Sequence, residues 1–156
     1  MIRILMVCLG NICRSPLAHS ILASKLDTEN FQVDSAGTSN YHIDSLPDQR
    51  SIAIARKKGL DITNQRGRQF KVGDFDTFDY IYVMDKSNFE NVVKMARNTE
   101  DISKVKLILN ESFPNKNLEV PDPYYGGDSG FDNVYNMLDI ACNNIAKKLK
   151  STSYLR

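Results

Sequence analysis

The chain has 156 residues, the length of one ordinary domain, and 42% of them are hydrophobic, which is enough for a substantial core. Its 20 lysines and arginines balance 19 aspartates and glutamates, so the formal net charge is only +1. This balance argues against a general binder of nucleic acid or of membrane surfaces, because both depend on concentrated positive charge. No stretch approaches the roughly 18 apolar residues of a membrane span.

The three cysteines are too few and too unevenly spaced for the disulfide framework of a secreted domain. The apolar N-terminal run carries Arg3 and continues into "NICRSP" without the small-residue cleavage pattern of a signal peptide. We therefore expect a reduced, cytoplasmic compartment, in which Cys8 and Cys13 remain available as thiols.

The first half of the chain predicts two strands and two helices. Residues 2–7 form a near-continuous apolar run, which is typical of a strand buried on both faces. A helix is predicted to begin at Ser15-Pro16, with the serine as N-cap and the proline as first helical residue. Residues 31–37 predict a second strand, and a second helix is expected to open at Asp48 and to close at Gly59.

The second half repeats this alternation. Residues 80–85 and 105–109 predict two more strands, a helix is expected over 87–96, and apolar residues at helical spacing predict a closing helix over 131–149. Strands that alternate with helices indicate a single-domain, doubly wound α/β fold with a four-stranded parallel sheet flanked by helices. Ligands bind such folds beyond the carboxyl ends of the strands, where residues 8–15 follow the first strand.

Residues 8–15 read "CLGNICRS" and join the first strand to the first helix. The N–H groups of such a loop, together with the start of the helix, form a concavity that attracts an anion. Gly10 and Asn11 are residue types that tolerate left-handed backbone angles, which a tight loop needs. Arg14 offers a planar fork for two phosphate oxygens. The sequence therefore predicts an oxyanion-binding loop after the first strand.

Cys8 would make this loop reactive. A thiol that faces N–H dipoles, an arginine and a helix N-terminus loses its proton easily, and the thiolate is a nucleophile for phosphorus. The hydroxyl of Ser15 is close enough in sequence to donate a hydrogen bond to the sulfur. Free cysteines are often simply buried at strand ends, but the surrounding motif makes that interpretation the weaker one.

The pattern Cys-x5-Arg-Ser in "VCLGNICRSP" resembles the phosphate-binding motif of the low-molecular-weight protein tyrosine phosphatases. The resemblance extends through "DSAGT" (34–38), "FDYIYVMD" (78–85) and "DPYYGG" (122–127), and so covers nearly the whole chain. It implies one phosphatase domain over 1–156, present as a monomer. The implied substrates are phosphotyrosine in proteins and small aryl phosphates, and the product is inorganic phosphate. No cofactor, metal, nucleic acid or membrane partner is implied.

By the same resemblance, the catalytic residues are Cys8, Arg14 and Asp122. Asp122 matches the proton donor of the family, which protonates the leaving group and later activates the hydrolytic water. On sequence grounds alone, Asp122-Pro123 would be an ordinary turn dipeptide.

Further positions match residues that bind phosphate or surround the substrate ring. Tyr124 and Tyr125 adjoin the acid and could form the apolar wall of a slot for a phenol ring, or they are ordinary loop tyrosines packed on the surface. Tyr41 falls where the family places the opposing aromatic wall. In related enzymes the paired tyrosines can be phosphorylated, so regulation there is a hypothesis. The whole predicted binding set is Leu9, Gly10, Asn11, Ile12, Cys13, Ser15, Tyr41, Tyr124 and Tyr125.

Several side chains remain open between two interpretations. Ser35 matches a residue that, with Asn11, holds the loop in shape, or it is a plain strand-end hydroxyl. Cys13 could form a protective disulfide with Cys8, as its place in the motif implies, or pack inward. His19 stands where relatives usually carry an acidic residue near the pocket mouth. Cys142 lies on the apolar face of the last helix and is expected in the core.

Three other functions compete. Arsenate reductases of this fold need two further downstream cysteines, whereas only Cys142 lies downstream here. Protein arginine phosphatases share the loop but carry threonine at the position of Ile12 and a less aromatic acid loop. A non-enzymatic phosphate-binding module, or a phosphocysteine carrier, would have no need of a proton donor such as Asp122.

Overall fold

The sheet positions the predicted loop. A computed structural model describes residues 1–154, except the side chains of Tyr125, Asp128, Ser153 and Tyr154. The strands are β1 Ile2–Cys8, β2 Phe31–Gly37, β3 Tyr80–Val83 and β4 Val105–Leu107. All the strand pairs of the sheet are parallel, and the strand order is β2-β1-β3-β4. The predicted fold class, a four-stranded parallel sheet flanked by helices, is therefore confirmed.

Six α-helices connect and cover these strands in the described part of the chain. They are α1 Arg14–Ala23, α2 Gln49–Lys57, α3 Asp74–Thr77, α4 Lys86–Val93, α5 Thr99–Ser103 and α6 Gly130–Tyr154. Helices α3 and α5 have four and five residues and were not predicted, because so short a segment shows no helical periodicity. Short 3₁₀ turns occupy Ile108–Glu111, Pro123–Tyr125 and Gly127–Ser129.

Strand β1 is central and is buried on both faces. Ile4 and Met6 pack into the cluster formed with α1 and α6, whereas Leu5 and Val7 face the opposite cluster around Phe75. All four strand side chains are fully buried. This explains the continuous apolar run in the sequence. The last strand residue, Cys8, pairs in register with Gly37 of β2, at the carboxyl edge of the sheet.

Capping side chains set several helix and strand boundaries. Asp48 accepts a hydrogen bond from the N–H of Arg50, and Gly59 follows the end of α2 with a φ of 83°, as predicted. Asp85 caps α4 by accepting from the N–H of Asn88, so β3 ends at Val83 and the strand predicted over 80–85 was two residues too long. The strand predicted over 105–109 also ends early, because Ile108 begins a 3₁₀ turn.

The predicted start of the first helix was wrong. Helix α1 begins at Arg14, and Cys13 occupies the N-cap position without a capping hydrogen bond from its side chain. Ser15 lies inside the first turn, where its hydroxyl contacts Cys8 and Asn11 instead of capping the helix.

Helix α6 is long but amphipathic. Its buried side includes Val134, Leu138, Cys142 and Ile145, which pack toward α1. Met137 and Ile140 lie on the exposed side, where they line a surface pocket with Phe113 and Leu118. Among residues 1–154, no helix has the length and apolar character that crossing a bilayer requires.

One buried polar contact ties the sheet to α6. The side chain of Tyr82 is fully buried, and its hydroxyl donates to Glu111 Oε1 over 3.0 Å. Lys148 on α6 donates to the same oxygen over 2.7 Å. Burial and the neighbouring carboxylate raise the pKa of Tyr82 well above its ordinary value, so the hydroxyl remains a donor.

We predict that Tyr82→Phe lowers the free energy of unfolding by about 2 kcal/mol, because a hydrogen bond to a charged acceptor is lost. Tyr80→Phe is the matched control, since Tyr80 stacks on Tyr82 at 6.3 Å and its hydroxyl bonds to no side chain that the structure describes. Its effect should stay within about 0.5 kcal/mol. Equal losses in urea unfolding of the two variants would contradict a specific role for the Tyr82 hydroxyl.

Candidate active site

The sulfur of Cys8 lies at the base of the loop among hydrogen-bond donors. The N–H of Asn11 donates to Cys8 Sγ over 3.2 Å, and Ser15 Oγ lies 3.0 Å from the sulfur. Asn11 Nδ2 donates to Ser15 Oγ over 2.8 Å, which leaves the hydroxyl proton of Ser15 free to point at the sulfur. Two donors therefore converge on a nearly buried sulfur atom, an arrangement that stabilises a thiolate.

Asn11 fixes the bend of the loop. Its φ of 57° is left-handed, as predicted for this position, and its Oδ1 accepts from the N–H of Arg68 over 3.1 Å. Gly10, in contrast, does not adopt a positive φ. A Cβ at Gly10 would lie 3.0 Å from the ring of His42, so close packing explains the glycine better than backbone strain.

The carbonyl groups of the loop are turned outward. The carbonyl oxygens of Cys8, Leu9 and Ile12 accept hydrogen bonds from the N–H groups of Thr38, Ser39 and Asp48. No hydrogen bond among the described residues uses the N–H groups of Gly10, Ile12 or Cys13. The free N–H groups and the outward carbonyls together form a binding site for an anion.

Arg14 is held beside this site by a buried ion pair. Its Nη1 donates to Asp85 Oδ2 over 2.8 Å and to the carbonyl oxygen of Val120 over 2.9 Å. The side chain of Arg14 is 8% exposed, so Asp85 supplies the countercharge that burial requires. Within the described part of the chain, no hydrogen bond uses its other guanidinium N–H groups, which are therefore available to a ligand. Asp85 was missed in the sequence, although a carboxylate at the end of the neighbouring strand is a usable signal.

The segment around Asp122 covers one side of the site. Asp122 Oδ1 accepts from the N–H of Tyr124 over 3.0 Å, and the hydroxyl of Tyr124 donates to Asp48 Oδ2 over 2.7 Å. Arg50 lies 4.4 Å from the centre of the Tyr124 ring. Burial and the hydrogen bond to Asp48 raise the pKa of Tyr124, so its hydroxyl is a donor at physiological pH. Helix α2 therefore anchors the acid-bearing loop.

One cavity of about 280 Å³ brings the three predicted catalytic side chains together. Cys8 and Arg14 line its base, and Asp122 reaches it from far along the chain. Tyr41, predicted as the second aromatic wall, is 77% exposed and does not line this cavity. His42 lines it instead, and sequence reasoning missed this residue. The remaining lining residues are Leu9, Gly10, Ile12, Cys13, Pro123 and Tyr124. The side chain of Tyr125 lies outside the described residues.

The other predicted site residues take supporting places. Ser35 Oγ lies 3.3 Å from His19 Nδ1 and contacts Gln65, and in the described chain no hydrogen bond joins it to Asn11. Burial lowers the pKa of His19, so the ring is neutral at physiological pH. His19 lies outside the cavity lining, and the loop is braced by Ser15 and Arg68 rather than by Ser35.

The three cysteines are free thiols with different surroundings. Burial raises the pKa of Cys13 to about 11, so that its thiol stays protonated at physiological pH. Cys142 is fully buried on α6, as predicted for a core residue. The described residues contain no group of three or more side chains that could hold a metal ion.

Comparison with known proteins gives consistent results. The family model described as low molecular weight phosphotyrosine protein phosphatase matches residues 3–154. The human low molecular weight phosphotyrosine protein phosphatase is 39% identical over 150 residues, covering 93% of this chain and 94% of that protein.

Two solved structures bear on the fold and on the competing functions. A protein tyrosine phosphatase from Entamoeba histolytica superposes with a TM-score of 0.89 at 34% identity, covering 98% and 99% of the two chains. A Drosophila arginine phosphatase superposes with a TM-score of 0.84 at 31% identity, covering 94% and 97%. The fold is thus common to both activities, whereas the family match and the curated relatives favour phosphotyrosine. From its match over residues 3–154, and as its sequence motifs predicted, this chain belongs to the low molecular weight phosphotyrosine protein phosphatase family.

Proposed function

We propose that the protein hydrolyses phosphotyrosine in proteins, and small aryl phosphates, through a phosphocysteine intermediate on Cys8. The observation that carries this proposal is the single cavity lined by Cys8, Arg14 and Asp122. A nucleophile, a cation and a carboxyl group at one cavity are the parts that a cysteine-dependent phosphatase needs, and a phosphate binder has no use for the third.

In the first step, the thiolate of Cys8 attacks phosphorus. An S–P bond forms while the bond from phosphorus to the phenol oxygen breaks, and the proton of Asp122 passes to the departing phenolate. Arg14 and the free N–H groups of the loop bind the phosphoryl oxygens throughout, which stabilises the charge of the transition state. Ser15 is placed to donate to the sulfur.

In the second step, water attacks the phosphocysteine. Asp122, now a carboxylate, takes the proton of that water, the S–P bond breaks, and inorganic phosphate leaves. The contact between Ser15 Oγ and Cys8 Sγ favours departure of the sulfur as a thiolate. Every catalytic group in the two steps belongs to the protein. Both steps require Cys8 to be reduced, in keeping with a cytoplasmic location.

Arginine phosphatase activity is the main alternative within the same fold. Ile12 lines the cavity where those enzymes carry threonine, and Tyr124 supplies an aromatic wall suited to a phenol ring. We expect phosphate release from a phosphotyrosine peptide to exceed release from a matched phosphoarginine peptide, with chelator and reductant present. A preference for phosphoarginine would contradict the role given to Ile12 and Tyr124.

We predict that Cys8→Ser lowers kcat for p-nitrophenyl phosphate by more than about a thousandfold, because the attacking thiolate is lost. Inorganic phosphate should still bind, since the loop N–H groups and Arg14 remain, and calorimetry would measure this. Cys142→Ala is the control, a core change that should cost stability but not the turnover of folded protein. Retained turnover in Cys8→Ser would refute the nucleophile assignment.

We predict that Asp122→Asn lowers kcat/KM by about 10²–10⁴ for phenyl phosphate, whose leaving group needs a proton. The loss should be smaller for p-nitrophenyl phosphate, because nitrophenolate leaves unaided. Glu119→Gln removes a carboxylate that binds the N–H of Lys86 outside this cavity and serves as the control. Equal losses for both substrates in Asp122→Asn would exclude a role as general acid.

A further inference from the structure

A second and larger cavity lies beside the catalytic one. It has a volume of about 580 Å³ and runs between α2 and the start of α6. We call it the α2–α6 groove. The residues that matter for its chemistry are Arg50, Ala53, Ile54, Lys57, Tyr124 and Phe131.

The groove adjoins the catalytic cavity at Tyr124, whose side chain lines both. The ring of Tyr124 is fixed in place, because its hydroxyl is bound to Asp48 and Arg50 lies 4.4 Å from its centre. A peptide whose phosphotyrosine enters the catalytic cavity can therefore extend across this ring into the groove. The groove lies where the residues that flank the phosphotyrosine would be.

Helix α2 gives the groove an apolar floor and a cationic end. Residues 50, 53, 54 and 57 share one helical face by their spacing, and all four line the groove. The guanidinium of Arg50 lies over the rings of Tyr124 and Phe131 and forms an ion pair with Asp48. Lys57 forms no ion pair with any side chain that the structure describes. It is thus the cation of this face that remains for a ligand.

The groove has one opposing charge, the carboxylate of Asp132 on α6. It weakens the binding of an anion near the α6 wall, so an acidic side chain can be held only at the α2 wall, where Lys57 lies. The α2 segment itself carries no acid after Asp48 but has Arg50, Arg56, Lys57 and the following Lys58. The field on this side of the groove is therefore positive.

We infer that the α2–α6 groove is a substrate subsite that binds an acidic side chain close to the phosphotyrosine. The methylene groups of a glutamate pack on Ala53 and Ile54, and its carboxylate pairs with Lys57. This inference rests on the proposed function, since it names the peptides that the same enzyme prefers. The protein then selects phosphotyrosine in acidic sequence contexts rather than phosphotyrosine alone.

The test compares phosphotyrosine peptides that differ only by glutamate or glutamine, scanned through the positions on both sides of the phosphotyrosine. At one or more positions, kcat/KM for the glutamate peptide should be about two- to fivefold higher, the range of an exposed ion pair. The ratio should fall to about one in 0.5 M salt and in Lys57→Gln. In Lys57→Glu, kcat/KM should be higher for a peptide with lysine at that position than for the glutamate peptide. Because each ratio compares two peptides on one enzyme, changes in folded fraction cancel.

Lys58→Gln is the matched control. It removes the same charge from the adjacent residue, which lies over the ring of Tyr135 at 5.7 Å and does not line the groove. The glutamate preference should survive in this variant. The inference would be overturned by a glutamate-to-glutamine ratio of one at every position in the native enzyme, or by an equal loss of the glutamate preference in the Lys57 and Lys58 variants. In either case, hydrolysis of p-nitrophenyl phosphate by the native enzyme would still support the proposed function. If the native enzyme did not hydrolyse p-nitrophenyl phosphate, the proposed function itself would be overturned.

Discussion

The structure depends on bringing hydrogen-bond donors together at the buried carboxyl end of β1. The loop achieves this by directing its N–H groups inward, with the left-handed Asn11 at the bend and its carbonyl groups bound outward. Asn11 has the central part, because its main chain donates to Cys8, its amide nitrogen orients Ser15, and its amide oxygen binds Arg68. One side chain thus couples the geometry of the loop to the orientation of the donor on the sulfur.

The same requirement explains the buried charges around the loop. Arg14 is almost fully buried, and Asp85 at the end of the adjacent strand balances it. Removing one partner of a buried pair typically costs about 3–5 kcal/mol, so this pair belongs to the fold as much as to the site. On the other side, Asp48 caps α2, binds the loop through its N–H, and holds Tyr124 through its carboxylate. The binding loop and the acid loop therefore share a support.

The sequence predicted the sheet and the binding loop because both follow local rules, whereas Asp122 was assigned by resemblance alone. Strand β1 is a continuous apolar run, and the loop motif lies within eight residues, so no long-range information was needed. Errors arose where a side chain had two possible partners: Ser15 could cap the helix or contact Cys8, and only packing decides. His42 and Asp85 were missed because their roles depend on contacts between distant segments. Tyr41 was placed by resemblance, yet here it is exposed and the adjacent His42 lines the cavity.

The central claim is that the phosphoryl group passes through Cys8. The most direct measurement is mass spectrometry of the enzyme quenched in acid during turnover of a phosphotyrosine peptide, followed by digestion. The account predicts a mass increase of one phosphoryl group on the peptide that contains Cys8, appearing and decaying at rates compatible with turnover. Product release without phosphoryl on Cys8, or with the group on another residue, would contradict it.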